Sequence, residues 1–109
     1  MTERFAKTPK PPYYAVIFAG QLNGADPGYD KMAQAMFELA VKQPGFLGAE
    51  SANEADGFGV TALYYADEAS ILAWKQNAEH LVAQKLGKEK WYEHYEIRVA
   101  KVERAYGGP

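Results

Sequence analysis

Apolar and polar positions follow two different periods along this chain. Tyr13-Tyr14-Ala15-Val16-Ile17-Phe18-Ala19 is an unbroken apolar run of strand formers. It predicts a short central strand buried on both faces or nearly so. Gly20 to Gly28 then predicts a loop, with turn signals at Asn23-Gly24 and Asp26-Pro27-Gly28. From Tyr29 to Gln43 the period changes. Tyr29, Met32, Met36, Leu39 and Ala40 recur every three or four residues, so they share one face of an amphipathic helix. Asp30 in its first turn and Lys42 in its last suit the helix dipole, and Pro44-Gly45 ends it.

The period then returns to two. Phe46 to Asn53 and Gly57 to Ala66 predict strands joined by a hairpin at Glu54-Ala55-Asp56-Gly57. In the later strand Phe58, Val60, Ala62 and Tyr64 point one way, and Gly59, Thr61, Leu63 and Tyr65 the other. Asp67 is a suitable N-cap for a helix starting at Glu68, with Ile71, Leu72 and Trp74 on its apolar face. Asn77 is expected to kink or restart that helix, with a second segment from Ala78 to Leu86 capped by Gly87. Lys88 to His94 predicts a helical turn, and Tyr95 to Tyr106 the last strand. There Tyr95, Ile97 and Val99 alternate with Glu96 and Arg98, and the apolar phase then shifts to Ala100, Val102 and Tyr106. Such a shift predicts a bulge, or a strand that serves two cores.

The resulting order, β-α-β-β-α-β, is the α+β ferredoxin-like arrangement: a four-stranded antiparallel sheet with both helices on one face. Residues 1–12, with Pro9, Pro11 and Pro12, are expected to form a mobile arm, and residues 13–109 a single domain. The bare face of such a sheet predicts an interface. The last strand, about 40 Å long, would also outrun the first, about 23 Å, at about 3.3 Å per residue. Both features predict a homodimer formed through the sheet face and the C-terminal strand, with residues 100–106 covered by a second subunit.

Composition narrows the chemistry. The 109 residues include no cysteine, which excludes disulfides, thiolate metal sites and cysteine nucleophiles. No signal-peptide run opens the chain and no stretch nears the ~18 apolar residues of a membrane span, so a cytoplasmic protein with no membrane partner is expected. The net charge of −2, with acids mixed among the basic residues of both ends, gives no reason to expect nucleic acid as a partner. Two histidines make a weak metal site, and Gly57-Phe58-Gly59 sits in a hairpin rather than before a helix, so no phosphate loop is expected. Eight Tyr and two Trp in so small a domain point to a cavity, an interface or half-exposed rings.

Two passages carry a family resemblance. Gln43-Pro44-Gly45-Phe46-Leu47-Gly48 resembles the signature that opens the second strand of antibiotic biosynthesis monooxygenase (ABM) domains. Tyr64 to Lys75, followed by Glu79-His80, resembles the same family's third strand and second helix. The resemblance spans residues 13–106. It implies a dimeric α/β barrel, with a pocket between sheet and helices in each subunit. It also implies a cofactor-independent monooxygenase acting on a small aromatic or quinone-like substrate. A non-catalytic dimeric module for small ligands or stress responses is the alternative.

The resemblance makes Trp74 and His80 the catalytic candidates, and Tyr64, Tyr65 and Phe46 the substrate-binding ones. Each has a plain packing role as its alternative. Tyr64 and Tyr65 leave their strand on opposite faces, so one of them can face the helices. His80 lies six residues beyond Trp74, about 600° round a continuous helix, and would share the Trp face only if Asn77 breaks the helix. The haem-degrading branch of the family uses an Asn on the first strand, a Trp on the second helix, which Trp74 matches, and a His further along that helix. Tyr13 to Gly20 contains no Asn, and Leu81 to Gly87 no His. Haem is therefore not expected, and no cofactor is assigned. His94, near Trp91 and Tyr95, is expected at an interface or in packing. Glu50, mid-strand, is either solvent-facing or buried and paired.

Overall fold

The chain folds in the order β1 (Tyr13–Leu22), α1 (Tyr29–Lys42), β2 (Phe46–Asn53), β3 (Phe58–Tyr65), α2 (Glu68–Lys85) and β4 (Tyr92–Val102). This computed structural model describes residues 4–22, 29–85 and 92–109, apart from the side chains at 29–33, 36, 78–85 and 92–93. The strands lie in the order β2-β3-β1-β4, all neighbours antiparallel. It is the ferredoxin-like fold expected from the order of elements. Among the described residues no helix is long and apolar enough to cross a membrane.

Register decides which side chains meet. Tyr14, Val16 and Phe18 of β1 oppose Tyr65, Leu63 and Thr61 of β3, and Val16 and Phe18 oppose Val99 and Ile97 of β4. Val16, Leu63 and Tyr65 join Ala40 of α1 and Ile71 of α2 in the buried core, with Tyr14, Phe46, Ala49 and Trp74 packed against it. These positions therefore form the helix side of the sheet. The opposite, open face carries Tyr13, Ala15 and Ile17 of β1, Phe58 to Tyr64 in alternation from β3, Glu50 and Ala52 of β2, and His94, Glu96 and Arg98 of β4.

Local chemistry fixes the joints. Gly45, at φ +87°, turns the chain out of α1, and its carbonyl accepts from Ala66 N–H at 2.7 Å. In the hairpin, Gly57 N–H donates to Glu54 O at 3.1 Å and Phe58 N–H to Asp56 Oδ1 at 3.0 Å. Asp67 caps α2 as expected, its Oδ1 accepting from Ser70 N–H at 2.8 Å. That bond holds the Asp67 carboxyl below its ordinary range. A depressed carboxyl adds stability above its unfolded value, near ~3.9, and the contribution is lost as pH falls through the lower folded value. Replacing Asp67 by alanine is expected to lower the melting temperature at pH 7 and to leave it nearly unchanged at pH 2. Equal losses at both pH values would contradict this role.

Five expectations need correction. β1 does not stop at Ala19 but runs to Leu22, because Gly20 and Gln21 still find partners in β3 and β4. α2 is unbroken from Glu68 to Lys85, since the exposed Asn77 costs only helix propensity. β4 begins at Tyr92 and ends at Val102, so Tyr92 to His94 are strand and Tyr106 lies beyond it, exposed. Its register with β1 is regular from His94 to Val102, so the shift in apolar phase marks no bulge there. It reflects a strand with apolar residues on both faces. The irregularity lies instead at Gln21/Leu22. With β1 lengthened to ten residues against eleven for β4, the expected overhang of the last strand also disappears. The loop expected at 23–28 and the cap expected at Gly87 lie outside the described residues.

Candidate functional site

Trp74, Phe46 and Tyr65 come together on the helix side of the sheet. Phe46 opens β2 just after the Gly45 turn, and its ring meets Tyr65 edge-on at 5.7 Å between centroids. Tyr65 is 0 % exposed and donates its hydroxyl to Ala40 O at 3.2 Å. Burial pushes its phenol up to about 12. Trp74 packs against the same cluster from α2. Its Nε1–H is buried and has no hydrogen-bond partner among the described residues. A buried donor left unpaired costs about 1–3 kcal/mol, which is why such groups mark places where something else binds.

Beside this cluster an open groove of about 470 Å³ runs between α2 and β4. Glu68, Ala69, Ile71, Leu72, Lys75 and Val99 line it. Trp74 stands one helical turn beyond Ile71, which belongs to both the groove wall and the core. Beyond the groove Phe18 and Tyr95 stack at 5.5 Å and 18°. Tyr95, Ile97 and Val99 remain exposed on this same side. The groove has apolar walls from Ala69, Ile71, Leu72 and Val99, with Lys75 and Glu68 beside them, and the buried Trp74 N–H lies in the neighbouring core cluster rather than in the groove wall. It suits a flat ligand carrying an oxygen.

Tyr64 is not part of this group. It faces the open side of the sheet, where its hydroxyl donates to Glu50 Oε1 at 2.8 Å and its ring meets Tyr13 edge-on at 5.9 Å. Strand alternation forces the separation, because Tyr65 already occupies the helix side. Glu50 is thus a paired carboxylate, taking a second bond from Ala6 N–H. Burial, then the Glu50 bond and charge, push the Tyr64 phenol up to about 12. His94 also lies on the open face, 73 % exposed and 2.6 Å from Glu96. The His80 side chain lies outside the described residues. The sequence did not reveal the Phe18–Tyr95 pair or the Glu50–Tyr64 bond. Both depend on register between strands, though the alternation of Tyr95, Ile97 and Val99 was a signal.

The two raised phenols have a consequence in alkali. A phenol raised in the folded state contributes stability in full below its unfolded value, near ~10, and loses it as pH rises towards the folded value. The urea midpoint is expected to fall steadily between pH 10 and 12. In Tyr64→Phe that fall is expected to be shallower, and an unchanged slope would remove Tyr64 from the explanation.

No family model matches the chain. The uncharacterized protein YqjZ of Bacillus subtilis (strain 168) is 48% identical over 104 residues, covering 95% of this chain and 91% of YqjZ. The chain belongs to the YqjZ family. Solved structures extend the likeness at the level of fold. SnoaB of Streptomyces nogalater, a cofactor-independent oxygenase, superposes in a mutant form with a TM-score of 0.70 at 11% identity, over 87% of this chain and 97% of SnoaB. A mutant form of MhuD, with two manganese protoporphyrin IX bound per active site, gives 0.64 at 16% identity over 87% and 99%. A Nitrosomonas europaea protein provisionally described as an antibiotic biosynthesis monooxygenase gives 0.61 at 12% over 88% and 94%. This YqjZ-family chain therefore has the ABM fold.

The porphyrin in MhuD raises the question of haem. The helix-side positions on β1 are Tyr14, Val16, Phe18 and Gly20, none an amide side chain. His94, the described imidazole, is on the wrong face of the sheet. Nor do three His, Asp or Glu side chains gather as a metal site among the described residues. The described residues thus offer a haem neither an amide on the helix side of β1 nor an imidazole on that side of the sheet, and the His80 side chain lies outside them.

Proposed function

We propose that this protein is a cofactor-independent monooxygenase, and that its substrate is a small hydroxylated aromatic or quinone-like molecule. The substrate lies in the groove between α2 and β4, and Ile71, which both lines the groove and belongs to the core, gives way so that one substrate oxygen reaches the buried Trp74 Nε1–H behind it. The buried indole N–H, which has no hydrogen-bond partner among the described residues, is the observation that carries this reading. The ABM fold and SnoaB, a cofactor-independent oxygenase of that fold, support it.

The reaction class balances without an outside reductant. A ring CH₂ and O₂ give C=O and water: carbon loses four electrons and dioxygen gains four, one oxygen atom staying on the carbon. The substrate supplies the electrons, so the protein's part is to orient the ring and exclude water. Ile71, Leu72 and Val99 give the groove the apolar wall for the second, with Leu72 and Val99 themselves exposed until a ligand covers them. Trp74 does the first, by favouring the form of the substrate with negative charge on its oxygen. In Trp74→Phe, kcat/KM for such a substrate is expected to fall at least about tenfold, equal to about 1.4 kcal/mol, with little change in the urea midpoint. Unchanged kinetics would remove Trp74 from the mechanism.

One observation favours a second reading, a non-catalytic ligand-binding module. Phe46, Tyr65 and Trp74 are packed against the core rather than lining an empty chamber. Ligand binding to the groove without dioxygen uptake is what that reading predicts. In either case the protein acts as a cytoplasmic homodimer formed through the open sheet face, whose Phe58 and Val60 are exposed.

A further inference from the structure

The sheet face that no helix covers is crossed by a strap. From the start of β1, residues 4–12 lead back across the open face to β2. Thr8 Oγ1 donates to Tyr13 OH at 2.9 Å, and Ala6 N–H donates to Glu50 Oε2 at 2.9 Å. Gly48 is matched to this path, since a Cβ there would lie 2.9 Å from Ala6 Cβ. At this end of the open face Tyr13 and Ala15 are buried. The strap nonetheless leaves Phe5 84 % exposed. That ring stands at the rim of a groove of about 500 Å³ lined by Arg4, Glu50, Ala52, Val60 and Ala62 together with Phe5 itself.

We propose that Phe5 is the knob of a self-complementary contact, entering the same groove on a second copy of the chain. Two features choose a second copy as the occupant. The knob and the hole lie on one surface, as a two-fold interface requires. The groove offers one cation, Arg4, and one carboxylate, Glu50, and a two-fold axis sets each against the other reciprocally.

The inference rests on the homodimer reading and is tested by sedimentation velocity over a concentration series of the full chain. The wild type is expected to dimerise, and Phe5→Asp to raise the dimer dissociation constant at least about tenfold, as loss of a buried aromatic anchor does. The melting temperature of the dilute monomer should stay unchanged, because Phe5 is outside the core. Gly48→Ala, which displaces the strap from beneath, is expected to weaken the dimer in the same direction. A wild-type dimer with the same dissociation constant in both variants would overturn the role of the strap and leave the homodimer standing. A wild type that stays monomeric at high micromolar concentration would overturn both.

Discussion

Replacing Tyr65 by alanine is expected to lower the unfolding free energy by about 3–5 kcal/mol, the usual cost of emptying a buried aromatic site. Tyr65 has no exposed surface, and it touches both layers of the fold: Phe46 edge-on from β2 and the Ala40 carbonyl of α1 through its hydroxyl. Removing the ring therefore opens a hole where sheet and helix meet. Tyr65→Phe separates the two contributions. It keeps the ring and loses only the bond to Ala40 O, which still accepts from Gln43 N–H at 3.3 Å. Its expected cost is about 1 kcal/mol. Urea unfolding of both variants checks the pair. A small loss in Tyr65→Ala would mean that the core is loosely packed at its centre. A domain of this size has about 5–15 kcal/mol to lose, so the alanine variant should approach marginal stability.

Gly45→Ala carries the second large effect, about 2–5 kcal/mol, from two causes. A side chain at φ +87° costs about 1–2 kcal/mol. Its Cβ would also lie 2.5 Å from Ser70 Oγ and 3.3 Å from Ser70 Cβ, and Ser70 is buried. Overpacking of that kind adds about 1–3 kcal/mol. A double-mutant cycle tells the causes apart. On a Ser70→Ala background the closest contact is gone, so the penalty at position 45 should shrink to the backbone part. An equal penalty on both backgrounds would place the whole cost in the backbone. The same turn delivers Phe46 to Tyr65, so Gly45→Ala should also disturb any ligand bound beside Trp74.

Periodicity carried the fold further than it carried the site. The helix from Tyr29 and the hairpin at Asp56-Gly57 were legible because their signals are local: spacing, a capping residue, a turn pair. The Asp67 cap was legible for the same reason. The end of β1 was not, because Gly20 and Gln21 are poor strand formers held only by pairing with β3 and β4. Asn77 misled, because a residue that can break a helix has no need to do so when its side chain faces solvent. At the candidate site, the family resemblance singles out Trp74, Phe46 and Tyr65, which the fold brings into one cluster, and strand alternation requires that one of Tyr64 and Tyr65 be elsewhere. Which one depended on the register of β3 against β1. The strap was invisible for a related reason: three prolines suggest an arm, but only the pairing of Ala6 with Glu50 and Gly48 gives it a place to lie.

Dioxygen uptake by haem-free, chelator-treated protein separates an oxygenase from a binding module. The protein would be offered a series of hydroquinones, naphthols and tricyclic aromatic substrates with a reactive ring CH₂, in air. Protein-dependent uptake is expected with at least one of the CH₂ substrates, with one dioxygen per carbonyl formed and at least about a tenfold lower kcat/KM in Trp74→Phe. No uptake across the series, together with stoichiometric haem binding and loss of the Soret band on adding a reductant in air, would contradict it.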